Sequence, residues 1–95
     1  MEPPKYEDNE TTFPELIERL RKTITYLNTL KPEQIDGSEK KKVTLKVRDE
    51  MLTFEGLTFL LNRVLPNLFF HVSTAYAILR HSGVEIGKKD YLGKF

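Results

Sequence analysis

The chain has no cysteine. Disulfides and thiolate sites are therefore excluded, whether for metal binding or for nucleophilic chemistry. Charge of one sign is missing as well. Fifteen basic residues stand against 14 acidic ones for a formal net charge of +1, so a general electrostatic grip on nucleic acid is not indicated. The start, Met1-Glu2-Pro3-Pro4-Lys5, lacks the basic residues and apolar run of a secretory signal. With neither cysteine nor export signal, the expected location is the cytoplasm. No phosphate-binding loop, nucleophile elbow or paired-carboxylate constellation is present. The most apolar stretch, Leu57 to Leu79, carries Asn62, Arg63, Pro66, Asn67 and His71 in its interior. These would be costly in a bilayer, so we expect a helix inside a bundle and no membrane partner.

What is present is 95 residues and 11.1 kDa, which is one domain. Hydrophobic residues make up 39% and charged residues 31%, a balance that speaks against disorder throughout. Folding at this length removes roughly 60–68% of the unfolded chain's surface from water, which leaves little margin for a core.

Residues 1–11 are polar, acidic and proline-bearing, and read as an extended lead-in in which Glu7-Asp8 suggests no catalytic role. Thr12 and Glu15 stand at capping-box spacing, with Pro14 in the first turn. Phe13, Leu16, Ile17, Leu20, Ile24, Leu27 and Leu30 follow at helical spacing, opposite Glu18, Arg19, Arg21, Lys22 and Asn28. This predicts a helix over 12–31, stopped by Pro32. After a connection punctuated by Gly37-Ser38, alternation of Val43, Leu45 and Val47, and then of Leu52 and Phe54, predicts a β-hairpin over 42–55. Lys40-Lys41-Lys42 reads as a solvated strand edge. A second helix is expected over 57–82, with a kink or fresh start near Pro66. Gly83 is placed to end it in a left-handed conformation, with Val84 reaching back to Leu79. Residues 83–95 are expected to pack partly back as a coil. The fold class is thus mainly α with a β-hairpin and two long helices.

At 100° per residue, Arg63, Asn67, His71, Thr74 and His81 fall within an arc of roughly 80° on the second helix. Asn67 and His71 are i, i+4 neighbours whose side chains can converge on one point, as in metal-binding helix motifs. One reading is a small polar or metal site in a bundle core. The other is that both side chains hydrogen-bond to a neighbouring helix, as buried polar groups do. Asparagine is a poor ligand for transition metals, and one histidine does not make a site. His81, in the last turn, is suited to meeting the terminal carbonyls.

The run Leu65-Pro66-Asn67-Leu68-Phe69-Phe70-His71-Val72-Ser73-Thr74-Ala75-Tyr76-Ala77-Ile78-Leu79-Arg80-His81-Ser82-Gly83-Val84 resembles the last helix of an uncharacterised family of DinB-like proteins. Ile86-Gly87-Lys88-Lys89-Asp90-Tyr91-Leu92-Gly93 is similar to that family's C-terminal signature. Tyr6 to Leu16 resembles the approach to its third helix, and Val43-Thr44-Leu45 with Leu52-Thr53-Phe54 resembles the hairpin between. The resemblance implies the C-terminal half of a DinB-like four-helix bundle. It also implies a metal site of three histidines, one on an early helix and two on the last at i and i+4. His71 matches the second last-helix position. Asn67 occupies the first, and the early-helix ligand has no counterpart in this chain.

Two functions follow. The first is a non-catalytic structural or interaction domain with a degenerate metal site. The alternative is a metal-dependent thiol transferase or hydrolase whose site, for a divalent metal such as Zn or Ni, assembles around His71 across a homodimer. Half a bundle leaves apolar helix faces uncovered, so the expected partner is a second copy or a larger protein.

Overall fold

The computed structural model describes residues 2–94. The chain forms two units, one up to Gly37 and one from Ser38 onward.

The first unit is built on α1 (Phe13–Asn28). Its start is held by a complete capping box. The Glu15 N–H donates to Thr12 Oγ1 (3.3 Å), and Glu15 Oε2 accepts from the N–H groups of Thr11 (2.7 Å) and Thr12 (3.2 Å). These bonds satisfy donors that helix geometry leaves without partners. The helix ends three residues before the expected Lys31. There the bonding tightens to three-residue steps, from Thr29 N–H to Tyr26 C=O and from Leu30 N–H to Leu27 C=O. The Thr29 hydroxyl also bonds the Tyr26 carbonyl at 2.7 Å. A 3-10 turn (Pro32–Gln34) follows.

The lead-in is less free than its composition suggests. Arg19, expected on a solvated face, bonds Asp8 Oδ1 (2.8 Å) and Glu10 Oε2 (3.0 Å), and its guanidinium lies 4.9 Å from the centre of the Tyr6 ring. The Thr23 hydroxyl is shared between the Arg19 carbonyl (2.9 Å) and the Tyr6 hydroxyl (3.0 Å). One arginine thus ties the segment before α1 back onto α1. Ion pairing and a cation over an aromatic face each contribute little at a surface, but here they act on the same side chain.

The second unit opens with the hairpin β1 (Lys42–Val47) and β2 (Glu50–Glu55), antiparallel and in the register Val43↔Phe54, Leu45↔Leu52, Val47↔Glu50. Arg48-Asp49 makes a two-residue turn, with Arg48 at φ 56. Tight hairpins demand a positive φ here because it matches the strand twist. Val43, Leu45, Val47, Leu52 and Phe54 form the half-buried face. Thr44 and Thr53 pair across the outer face at 3.2 Å.

The chain then enters a helix that continues from Gly56 to His81: α2 (Gly56–Phe59), a π turn (Leu60–Val64) and α3 (Leu65–His81). The hairpin docks on its start. The Phe54 and Phe59 rings lie 5.7 Å apart, and the Leu57 N–H donates to the Glu39 carbonyl at 2.9 Å. The π turn sits immediately before Pro66, and the Leu65 N–H reaches back to the Leu60 carbonyl. Proline has no N–H and crowds the carbonyl four residues earlier. A wider turn at that place accommodates both effects without breaking the helix.

Gly83 (φ 94) closes α3, with Val84 N–H on the Leu79 carbonyl (3.1 Å) and Gly83 N–H on the Arg80 carbonyl (3.1 Å), the Schellman arrangement. The tail does fold back, but not only as coil. It contains the short helix α4 (Lys88–Leu92), whose first turn is capped by Asp90 Oδ2 accepting from the Gly87 N–H at 2.7 Å. The Tyr76 hydroxyl donates to the Gly87 carbonyl. Tyr91 stands edge-on to Tyr76 at 5.5 Å, with its hydroxyl 3.1 Å from Ser73 Oγ. Among the described residues none is buried, and no helix is long and apolar enough to cross a membrane.

Candidate functional site

The polar stripe on the long helix divides in two. Arg63, from the π turn, joins Asn67 and His71 of α3 along a groove of about 400 Å³. Its remaining walls are apolar: Leu45 from β1, Phe59 from α2, and Val64 and Leu68. Thr74 and His81 do not reach this groove. They line another, of about 460 Å³, with Ser73, Ala77 and Ile78. The separation follows from helix rise. A projection down the axis superposes residues that stand many turns apart, and 18 residues from Arg63 to His81 span roughly 27 Å.

Within the first groove the fixed charge is of one sign. Arg63 offers a guanidinium, Asn67 an amide and His71 an imidazole. Among the described residues none of the three makes a hydrogen bond or ion pair, and no carboxylate lines the groove. Among the described residues the only ring contact of His71 is with the adjacent Phe70, edge-on at 5.3 Å.

This donor set does not fit a zinc or nickel ion. Such ions take three or four ligands from neutral imidazole, thiolate or carboxylate. Here a single imidazole stands beside an amide and a fixed cation that has no lone pair to give. Among the described residues no group of three or more His, Asp or Glu side chains is placed to hold a metal. The Asn67–His71 pair is therefore brought together with Arg63 in one groove, as a set of hydrogen-bonding groups and not as a metal cage.

A third groove, of about 480 Å³, lies in the first unit around Tyr6, Glu10, Glu15 and Arg19. Sequence reasoning missed this clasp, because Asp8 and Glu10 stand eleven and nine residues before Arg19, beyond the reach of local patterns. Both Arg19 carboxylate bonds raise the pKa of the guanidinium, with the Asp8 bond the larger cause. The Thr11 N–H, and after it the Thr12 N–H, hold the Glu15 carboxyl below its ordinary value. The signal for the apolar walls of the first groove was the alternation that put Leu45 on the inner face of the hairpin. Its meeting with Phe59 and Leu68 is a matter of packing.

Comparison with known proteins bears on this geometry. A family model described as "Domain of unknown function (DUF1993)" matches residues 1–92. The crystal structure of a DinB family member protein from Shewanella denitrificans is similar at 41% identity with a TM-score of 0.76. The alignment covers 97% of this chain and 51% of that one, so the chain spans about half the length of its solved relative. No curated protein matches.

Proposed function

The chain belongs to the DUF1993 family of DinB-like proteins, and from that premise we propose that it is a non-catalytic interaction domain whose metal site is degenerate. The observation that carries this reading is the donor set itself. At the i, i+4 pair where the resemblance implies two histidines, the chain carries Asn67 and His71, and Arg63 adds a fixed positive charge to the same groove. A cation next to a would-be metal site opposes binding of a second cation.

The partner we propose is a second copy. α1 carries one apolar stripe, so it can cover only one side of another helix. α3 is apolar nearly all round. Leu68, Val72 and Leu79 lie on one side and Phe70 opposite, with Phe70 64% and Ile78 60% exposed. Helices of this kind belong in the middle of a bundle. The solved relative is about twice as long, so one further copy has the size needed to complete a four-helix bundle.

Metal analysis tests the absence of a metal site. Protein purified without chelators and then offered Zn or Ni should retain no more metal than the His71→Ala variant. Stoichiometric metal in the wild type, lost in His71→Ala, would support instead a metal-dependent transferase or hydrolase assembled across the dimer.

A further inference from the structure

We propose that the groove between the hairpin and the long helix binds a small organic acid, with its carboxylate on Arg63, Asn67 and His71 and its apolar part against Leu45, Phe59 and Leu68. The inference goes beyond the interaction role.

It rests on what the groove contains and what it lacks. Its polar residues are Arg63, Asn67 and His71, at i, i+4 and i+8, so each stands about 6 Å further along the axis than the last. The Arg63 guanidinium carries five N–H donors in a planar fork and no acceptor, which matches the two oxygens of a carboxylate. The Asn67 amide supplies further donors, and so does an imidazole N–H. Among the described residues no acidic side chain shares the groove and Arg63 has no ion-pair partner. Arg19, by comparison, is satisfied twice over by Asp8 and Glu10. Arg63, like Arg21, Arg48 and Arg80, has no such partner among the described residues, and what sets it apart is that its fork lies in a groove with an amide, an imidazole and apolar walls. A volume of about 400 Å³ is at the small end for ligand pockets, which combine apolar walls with a few polar groups that fix orientation. A metal cation is disfavoured by the same charge that favours an anion.

Titration of the whole chain with hexanoate, followed by amide and side-chain NMR shifts, tests this. Hexanol and inorganic phosphate serve as comparisons that keep only the chain or only the anion. Hexanoate is expected to saturate with shifts concentrated at Arg63, Asn67, His71 and Leu45. Its affinity should fall by about tenfold or more in Arg63→Gln, the loss expected for one charge-assisted hydrogen-bond pair. Arg63→Lys, which keeps the charge but not the fork, should fall between the two. Arg63 is exposed, so both variants are expected to keep the wild-type circular dichroism. Three results would each overturn the proposal: no hexanoate binding at about 10 mM, equal affinity in wild type and Arg63→Gln, or hexanol or phosphate binding as tightly as hexanoate. Sedimentation of the same samples reads the oligomeric state separately, so failure here and failure of the dimer are told apart.

Discussion

Thr12 and Glu15 show how much of an element can rest on two side chains. Their reciprocal bonds close the first turn of α1, and the sequence spacing was enough to foresee them. Thr12→Ala removes one acceptor for a helix-end N–H and is expected to lower stability by about 1 kcal/mol. Denaturant unfolding followed by circular dichroism would measure it. Glu15 gives the same contact a pH dependence. Its carboxyl is held below the usual value by the Thr11 and Thr12 N–H groups. The stabilisation is therefore complete above the unfolded carboxyl's pKa and is lost as pH falls through the lowered folded value. The Thr11 and Thr12 amide resonances should move together on acidification, and in Glu15→Gln this shared acid transition should be absent. Arg19 lies at the other extreme of legibility. Its partners Asp8 and Glu10 are eleven and nine residues away, and no local rule links them.

At the level of elements, the joint where the helix starts after the hairpin leaves no room for a side chain. A methyl group at Gly56 would collide with the Ser38 carbonyl oxygen. Alanine is the better helix former by about 1 kcal/mol, so propensity alone predicts that Gly56→Ala stabilises. We expect the opposite, a loss of about 1–3 kcal/mol from overpacking against the backbone, visible as a lowered thermal midpoint. The hairpin and the Schellman end of α3 were legible because alternation and a Gly after the last apolar turn are local patterns. The helix α4 was not. Lys88–Leu92 is too short for periodicity to register, and the contacts of Gly87 and Tyr91 with Tyr76 and Ser73 hold it in place. Grouping Thr74 and His81 with Asn67 failed for a related reason. Angular position was legible, whereas distance along the axis decides which side chains share a groove.

At the level of the whole molecule, the decisive property is unmet burial. Leu68, Phe69, Phe70 and Ile78 are all more than half exposed, and large exposed apolar surface on a soluble protein marks an interaction site. Sedimentation equilibrium at micromolar concentration is expected to give a dimer. Phe70→Glu should shift it toward monomer by raising the dissociation constant at least about tenfold, since burying an unpaired charge in an apolar interface is costly. A well-folded monomer in the wild type would overturn the proposed partner. The tail clasp provides an independent way to watch the protein. The sequence contains no tryptophan and only four tyrosines, and two of these, Tyr76 and Tyr91, stand edge-on at 5.5 Å in the clasp. Ultraviolet emission therefore comes mainly from phenols, with the six phenylalanines a weak short-wavelength background, and the edge-on pair is expected to contribute a near-ultraviolet dichroism signature that is lost when α4 lifts from α3. The last turn of the chain thus carries its own chromophore, and its docking can be timed without a label.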